Sequence, residues 1–521
     1  MVKKVGSSVV TLMLFGLLMG CALDTDSEEV SEGAIEEGGE LNVAYGVQPP
    51  SLDPHSVTDV STRDISQHMF EPLVTLNSSL EVEPMLAESY EVNEDEETVT
   101  FYLREGIQFH NGDEMTARDV IASMERWHDY SSQAQEYLDG TEYEAIDDYT
   151  VVAHLEEYTT IDMFIFADMT QFAAIMPEEV ITNAGTNLVD ELIGTGPFQL
   201  EEWRQDQFIH FKKFEDYQSR EEPADGLSGA KEPKVDDIYF HHVGDASTRV
   251  SGIQSGEYDI ATAIPQDNAE MLESNPDLHN ELISSSYPAL IFNKAEGIFT
   301  EQAARQAVNA AVNTEDMLLA AYGSEEFYIN DHSLVQEEQE GWYSEAGSDV
   351  HATFDLDLAE ELLEESGYDG EEIVILASRE VPDEYNMTIV LQQQLEAIGM
   401  NVDLQVSDRA TVLDVRDDSE VWDITFSPFA FRPMPVQYLY LNSGYHGWTD
   451  SEELSQLTED ILYAGTPEDA QAYADEFHEA FWDYLPVLKP GNKIDIVSMR
   501  DGIEGYQHIT GPILWNVSVN D

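Results

Sequence analysis

The stretch that decides the fold is FYLREGIQFHNGDEMTARDV, at residues 101–120. Residues 98–103 alternate between polar and apolar side chains, which is typical of a half-buried β-strand. The Asn-Gly pair at 111–112 is a turn signal. Thr116 is followed three residues later by Asp119, the pattern of a capped helix start. The stretch therefore predicts a strand, a turn and a helix that ends near residue 127. The apolar face of this helix is expected to consist of Val120, Met124 and Trp127.

Strand and helix signals alternate along the rest of the chain. We predict strands at 41–45, 371–377 and 402–406, and helices at 357–366 and 389–398. The first of these helices carries Leu358, Leu362 and Leu363 on one face, and the two helices end at Gly367 and Gly399. Alternation of this kind favours an α/β architecture with crossover connections.

The N-terminus combines a basic start, an apolar run at 9–19 and a small residue, Gly20. The run is too short to span a bilayer, which takes ~20 residues, so the pattern predicts a secretory signal at 1–20. Cys21, the only cysteine, follows directly. This context resembles the lipobox of bacterial lipoproteins, which implies lipidation of Cys21 and anchoring at the outer face of the cytoplasmic membrane. An ordinary secretory signal with a stray thiol is the alternative, because Met19 departs from the usual small residue.

Composition limits the possible functions. The chain has 106 Asp and Glu against 22 Lys and Arg, a formal net charge of −84. Such a surface repels phosphates, so a nucleic acid is not expected as a partner. A hydrophobic content of 42% argues against disorder, except in the acidic segment 21–38, which we predict to be a flexible tether. We interpret the acidity as an adaptation to saline or alkaline surroundings, where salt screens self-repulsion.

Further segments repeat, in order, the pattern of one protein family. They are GELNVA (39–44), LDP (52–54), FEPLV (70–74), PMLAESY (84–90), the stretch 101–120, IGTGPF (193–198) with Trp203, FN (292–293) and RQAVNAAV (305–312). Together they resemble the solute-binding proteins of ABC transporters, family 5, the peptide and nickel class. The resemblance runs from Gly39 to Asn516.

The resemblance implies an α/β, two-lobe periplasmic-binding-protein fold (type II) with an extra inserted domain and a ligand cleft between the lobes. Lobe I would comprise 39–56, 174–283 and 492–521, the inserted domain 57–173, and lobe II 284–491. The resemblance also implies an exported receptor that captures an oligopeptide, dipeptide or related solute and delivers it to an ABC permease. We expect a monomer without cofactor or catalytic residues.

The segment WDITFSPFAFRP, residues 422–433, is the most informative about the ligand. In the peptide-binding branch of the resembled family, this segment supplies an aspartate that fixes the amino terminus of the ligand. Here Asp423 lies too early and is expected in a strand, and the loop after it has no acid. We predict that Arg432 pairs with an anionic group of the ligand; pairing with a surface acid is the alternative. The other residues that we predict to bind the ligand are Phe429, Phe431, Tyr45, Gln48, Tyr287 and Asn293.

Several histidines could suggest catalysis or a metal. His110 lies beside the Asn-Gly turn, and His241 and His242 are neighbours on a predicted strand, where they must face opposite sides. His478 begins a sequence like that of a zinc protease but lacks the second histidine. We interpret these residues as structural and expect no metal. We also expect packing roles for Trp515 and Tyr506.

Two alternatives to the receptor remain open on the sequence. One is a secreted hydrolase that uses paired carboxylates. A chain with 106 Asp and Glu has enough carboxylates for such a pair. A surface chaperone or sensor could use the same scaffold without a permease. Recovery of a bound solute in unchanged form would favour a receptor over a hydrolase.

Overall fold

The computed structural model describes residues 38–351 and 353–520. The predicted signal at 1–20, Cys21 and almost all of the predicted tether lie outside these described residues. Within them, no helix is long and apolar enough to cross a membrane.

The strands are β1 (Glu40–Tyr45), β2 (Val74–Leu76), β3 (Val82–Pro84), β4 (Ala87–Asn93), β5 (Thr98–Leu103), β6 (Glu142–Asp147), β7 (Thr150–His154), β8 (Phe198–Arg204), β9 (Phe208–Lys213), β10 (Asp237–His242), β11 (Ile260–Ala261), β12 (Leu278–Phe292), β13 (Tyr328–Ile329), β14 (Glu372–Ser378), β15 (Asn401–Ser407), β16 (Ile424–Ala430), β17 (Val487–Leu488), β18 (Asn492–Arg500), β19 (Ile503–Glu504), β20 (Gln507–His508), β21 (Pro512–Ile513) and β22 (Ser518–Val519). The helices are α1 (Val60–Ser66), α2 (Ala117–Tyr130), α3 (Ser132–Tyr137), α4 (Asp162–Phe166), α5 (Glu178–Ala184), α6 (Ala246–Ser255), α7 (Ala269–Glu273), α8 (Gln302–Ala311), α9 (Thr314–Tyr322), α10 (Leu356–Glu365), α11 (Pro382–Ala397), α12 (Arg409–Val415), α13 (Glu452–Leu462) and α14 (Pro467–Tyr484).

One 12-stranded sheet connects the two halves of the molecule, in the order β15-β14-β16-β12-β18-β11-β1-β10-β9-β8, with β13 beside β18 and β17 beside β12. Strand β12 is central: its first part pairs with β18 and its last part with β16. The register between β12 and β18 shifts between Ser284 and Ser286, where the strand passes from one half to the other. We call the half with β1 and β8–β11 the first lobe, and the half with β14–β16 the second lobe.

A separate four-stranded sheet, in the order β4-β5-β7-β6, lies between β1 and β8 in the chain. We call this sheet and helices α1–α5 the inserted region. The strand, turn and helix predicted for 98–127 are confirmed here. The side chains of Thr116 and Asp119 form a capping box at the start of α2. The apolar face of α2 is fully buried, as predicted, at Val120, Met124 and Trp127.

Three predictions of local structure were wrong in part. Helix α10 buries Ala359 and Leu363, whereas the predicted core residue Leu358 is 42% exposed. The reason is that α10 packs against α8 through the face that carries Ala359. Helix α11 begins seven residues before the predicted start, with Pro382 in its first turn. Strand β16 continues to Ala430, so most of the predicted ligand loop is strand. Asp423 lies one residue before β16, and its side chain accepts a bond from the Val374 amide at 2.7 Å.

Two buried ion pairs fasten the segment after β1 to the inserted region and the first lobe. Arg126 of α2 donates two hydrogen bonds to Asp53, at 2.6 and 3.1 Å, and both side chains are at most 4% exposed. Burial alone would raise the pKa of Asp53, but the bonds from Arg126 outweigh it and hold this pKa below its usual value. Lys231 pairs with Glu71 at 3.1 Å. Glu71 also accepts bonds from Thr195 and Tyr217. Each of these charges has an oppositely charged partner, although Arg126 Nε has no hydrogen-bond partner among the described residues.

The glycines of the segment 193–198 allow a close approach of two backbones. A Cβ at Gly194 would lie 2.0 Å from the carbonyl oxygen of Met69, and one at Gly196 would lie 2.7 Å from the Met69 carbonyl carbon. Only glycine fits at such distances. These two glycines therefore serve packing.

Candidate functional site

A cavity of about 340 Å³ lies where the two lobes and the inserted region meet. We call it the central cavity. Its wall combines residues of β1 and α1, residues 168–170 after α4, the central strands β12 and β18, the segment 430–433 at the end of β16, and the loop before β21. The charged residues in this wall are Arg63, Asp64, Asp168, Arg432 and Asp495. A site enclosed from both lobes is suited to hold a small solute.

Tyr45, a predicted ligand residue, lies in this wall at the end of β1. Its hydroxyl donates to Asp64 at 2.5 Å, and Asp64 accepts two further bonds from Arg63, at 2.7 and 2.9 Å. Burial, together with the Asp64 carboxylate, raises the pKa of Tyr45 well above its usual value, so the phenol remains a donor. Because Arg63 and Asp64 neutralise each other, this corner of the cavity carries little net charge.

Arg432 lies in the same wall, on the second lobe. Its Nη1 donates to the hydroxyl of Thr170 in the inserted region at 2.7 Å. Its backbone amide donates to Tyr438, and its carbonyl accepts a bond from Gln339 at 2.9 Å. Among the described residues, no carboxylate forms an ion pair with Arg432. The alternative of pairing with a surface acid is therefore not observed in the described structure.

The predicted aromatic residues Phe431, Tyr287 and Phe429 pack together, but only Phe431 lines the central cavity. Phe431 lines the cavity, and so do Ser286 and Ala430, which are paired across β12 and β16. The next pair, Tyr287 and Phe429, lies outside the cavity wall, and the Tyr287 ring packs against Phe431 at a centroid distance of 5.5 Å and against Phe429 at 6.2 Å. Tyr287 is fully buried and its hydroxyl lies 2.8 Å from that of Tyr440. Tyr287 and Phe429 therefore support the cavity wall from behind and do not line it.

Two predicted residues lie away from the central cavity. Gln48 donates to Gln205 at 2.7 Å and accepts from the amide of Asp206, so it binds the turn between β8 and β9. Asn293 is buried and donates to the carbonyls of Ser419 and Trp422, both at 2.7 Å. Both side chains thus have structural partners. Of the predicted residues, Tyr45, Phe431 and Arg432 line the central cavity, and Tyr287 packs behind Phe431.

Asp168 and Thr170, which also line the cavity, were not predicted from the sequence; the hydroxyl of Thr170 contacts Arg432 directly. Asp168 accepts a hydrogen bond from the Thr170 amide at 2.7 Å. The only local signal is the spacing of an aspartate two residues before a threonine, which is common in turns. Both residues also line an adjoining cavity of about 530 Å³ between the inserted region and the second lobe, as does Arg432.

Two of the histidines singled out from the sequence, His110 and His478, have structural partners. The Gly194 amide donates to Nδ1 of His110, whose Nε2 lies 3.0 Å from the Gly196 carbonyl. Burial lowers the pKa of His110 to about 4. His478 is buried, and its Nδ1 lies 2.8 Å from the carbonyl of Ala474. Within residues 38–351 and 353–520, no group of three or more His, Cys, Asp or Glu could hold a metal ion.

A sheet crossed by β12 and β18, with an enclosed cavity walled from both sides of the crossing, defines a two-lobe binding protein. The model of the bacterial extracellular solute-binding proteins, family 5 Middle, matches residues 81–450. The chain belongs to this family. Family membership supports the receptor hypothesis and gives no support to the hydrolase alternative.

Individual relatives agree in fold and extent. The probable peptide ABC transporter periplasmic-binding protein y4tO of Sinorhizobium fredii is 28% identical over 528 residues, which is 96% of this chain and 97% of that protein. The ABC transporter substrate-binding protein CtaP of Listeria monocytogenes superposes with a TM-score of 0.81 at 21% identity, over 93% of this chain and 100% of that one. The binding protein DppA of Helicobacter pylori, in complex with the peptide STSA, gives a TM-score of 0.76 at 22% identity, over 93% and 99% of the two chains. The structural likenesses confirm the fold.

Proposed function

We propose that this protein captures a peptide or peptide-like solute in the central cavity and delivers it to an ABC permease. The observation that carries the proposal is the enclosed cavity of about 340 Å³ with walls from both lobes. Cavities that hold small molecules typically measure ~300–1,000 Å³. The similarity to the probable peptide transporter protein of Sinorhizobium and to the Helicobacter protein in complex with a peptide supports this solute class.

Arg432 binds an anionic group of the solute in this proposal. Support comes from its position in the cavity wall and from its bond to a neutral hydroxyl instead of a carboxylate. A guanidinium can bind a carboxylate through two parallel N–H bonds, which fixes both position and orientation. Phe431 provides an apolar wall beside it.

Solute binding is proposed to hold the lobes closed. The bulge in β12 at Ser284–Ser286 is the proposed hinge, together with the facing part of β18. A solute that contacted only one lobe would not shift the equilibrium between open and closed forms, whereas contacts on both lobes do. The permease would then recognise the closed form. The proposed division remains 39–56, 174–283 and 492–521 for lobe I, 57–173 for the inserted domain and 284–491 for lobe II.

We propose that the protein is an exported monomer that a lipid on Cys21 attaches to the outer face of the cytoplasmic membrane. The family, one of extracellular proteins, supports the extracellular location. A tether would keep the receptor close to its permease. Fractionation of cells that express Cys21→Ser tests this: the variant is expected in the medium, and retention with the membranes at the wild-type level would contradict the anchor.

The acidic composition is proposed to reflect a saline or alkaline habitat. With a net charge of −84, the folded chain repels itself unless salt screens the charges. Urea unfolding with and without added salt tests the proposal, and we expect a higher midpoint in salt. Equal midpoints would contradict it.

Mass spectrometry of the small molecules released by denaturing the purified protein tests the solute class. We expect a peptide or peptide-like molecule, recovered unchanged. Recovery of cleaved fragments of the added solute would support the hydrolase instead. If the protein releases no such molecule and no member of a peptide library raises its melting temperature, the peptide proposal is wrong.

A further inference from the structure

The charged groups of the central cavity differ in whether they already have a partner of opposite charge. Asp64 is bonded to Arg63. Asp495 pairs with Lys493 at 3.2 Å. Asp168 and Arg432 form no ion pair with any described residue, nor with each other. The cavity therefore presents one negative and one positive group that are free to bind a solute.

Thr170 holds these two groups beside each other. Its amide donates to Asp168 at 2.7 Å, and its hydroxyl accepts from Arg432 Nη1 at 2.7 Å. Each group thereby has a defined position while keeping further binding capacity: a carboxylate has two oxygens, and a guanidinium has five N–H donors. The carboxylate of Asp168 and the guanidinium of Arg432 are thus both bonded to Thr170.

The two groups come from opposite sides of the cleft. Asp168 follows α4 in the inserted region, and Arg432 follows β16 in the second lobe. A solute that bound both would connect these parts of the molecule, which is the condition for ligand-driven closure.

We propose that Asp168 binds the ammonium group of the solute whose anionic group Arg432 binds, so that the central cavity selects a zwitterion. This inference rests on the proposed function. It also explains how the solute amine is bound although the segment 427–433 contains no acid. The inserted region supplies the acid instead.

Calorimetric titration of the full-length purified protein tests the inference. The probes are trialanine and trileucine, each as the free peptide and with an acetylated amino terminus. We expect D168N to weaken binding of a free peptide roughly ten- to hundredfold, because a hydrogen bond to a charged group is lost. Binding of the acetylated peptide, which has no ammonium group, should be weak in the wild type and should change less than twofold in D168N.

A matched control is available in the inserted region. Asp147 lies at an exposed turn and accepts a bond from the amide two residues later, at 2.9 Å, as Asp168 does. D147N makes the same chemical change in the same type of turn away from the cavity, so it should leave the affinity unchanged. Asparagine keeps the accepting oxygen at both positions, and thermal melting of each variant shows whether it is folded.

The outcomes separate this inference from the proposed function. If the wild type and a folded D168N bind a free peptide equally, or if acetylation does not weaken binding, the inference is overturned and peptide binding stands. An equal loss in D147N would also overturn it, because the effect would then reflect net charge. If the wild type binds neither free peptide, nor any free peptide of the library, the inference falls together with the peptide part of the proposed function.

Discussion

The buried pair of Asp53 and Arg126 and the central-cavity residues Asp168 and Arg432 consist of the same two residue types. In the first region the two charges bind each other, and in the second they do not. Asp53 and Arg126 satisfy each other away from water, with side-chain exposures of 0% and 4%. Asp168 and Arg432 instead share Thr170, and neither has an oppositely charged partner among the described residues. A charge that is fully engaged stabilises one structure, whereas a charge with remaining capacity can bind a solute. The recognisable motif residues, such as Asp53 and Glu71, belong to the first kind.

The largest expected effect comes from breaking the buried ion pair between Asp53 and Arg126. Asp53→Ala leaves the charge of Arg126 buried without a partner, which typically costs about 3–5 kcal/mol. We expect a decrease of that size in the free energy of unfolding, measured by urea denaturation. Replacing both partners, with Asp53→Leu and Arg126→Met, should cost less, because no unpaired charge remains. A double variant as unstable as Asp53→Ala would contradict the comparison.

The next effect concerns pH and His110. The unfolded chain protonates this histidine near pH 6.5, but the folded protein does so only near pH 4. Between these values the unfolded state binds more protons, so the free energy of unfolding falls as the pH falls from 6.5 to 4, by on the order of 3 kcal/mol in total. Above pH 6.5 the residue adds no pH dependence.

His110→Gln should reduce this pH dependence, measured as urea unfolding at a series of pH values. The control is His154→Gln, because the side chain of His154 is 47% exposed. The same slope in His110→Gln and in the wild type would show that His110 does not titrate in this way.

The third prediction concerns Arg432 in the central cavity. Arg432→Ala should weaken binding of the solute identified by mass spectrometry roughly ten- to hundredfold, because bonds to a charged group are lost. The free energy of unfolding should change by only about 0.5 kcal/mol, since no ion pair is broken. Arg118→Ala, on the exposed face of α2, removes the same charge far from any described partner and serves as the control. Unchanged affinity in Arg432→Ala would refute the ligand role.

The smallest effect is expected for an exposed ion pair. Arg204 and Glu202 lie 2.7 Å apart with side chains 53% and 43% exposed. Water and salt screen such a pair, so Arg204→Gln should leave the free energy of unfolding almost unchanged in urea denaturation. A loss comparable with that of Asp53→Ala would show that burial does not decide the difference between charged pairs in this protein.

Local pattern predicted the elements whose signals are themselves local. The strands β5, β14 and β15 and the capped start of α2 followed from alternation, capping and glycine stops. The early start of α11 had a signal in Pro382 that the apolar periodicity alone did not include. The face of α10 was wrong at Leu358, because the packing partner α8 decides which stripe is buried.

The candidate site was only partly predictable. Of the residues that the sequence selected, Arg432, Phe431 and Tyr45 line the central cavity. It could not separate Tyr287 from Ser286, because a change of one residue moves a strand side chain to the other face of the sheet. It gave no reason to choose Asp168 among 106 acids.

By itself, the sequence determined the α/β class, the family and the segment that carries Arg432, because these depend on residue order and local pattern. Only the tertiary structure decided that Asp168, Thr170 and Arg432 meet in one cavity. Asp168 and Arg432 are more than 260 residues apart in the chain, as the bond between Thr170 and Arg432, which spans 262 residues, shows. Their proximity follows from the way β12 and β18 bring the two lobes and the inserted region together, and no local pattern records that.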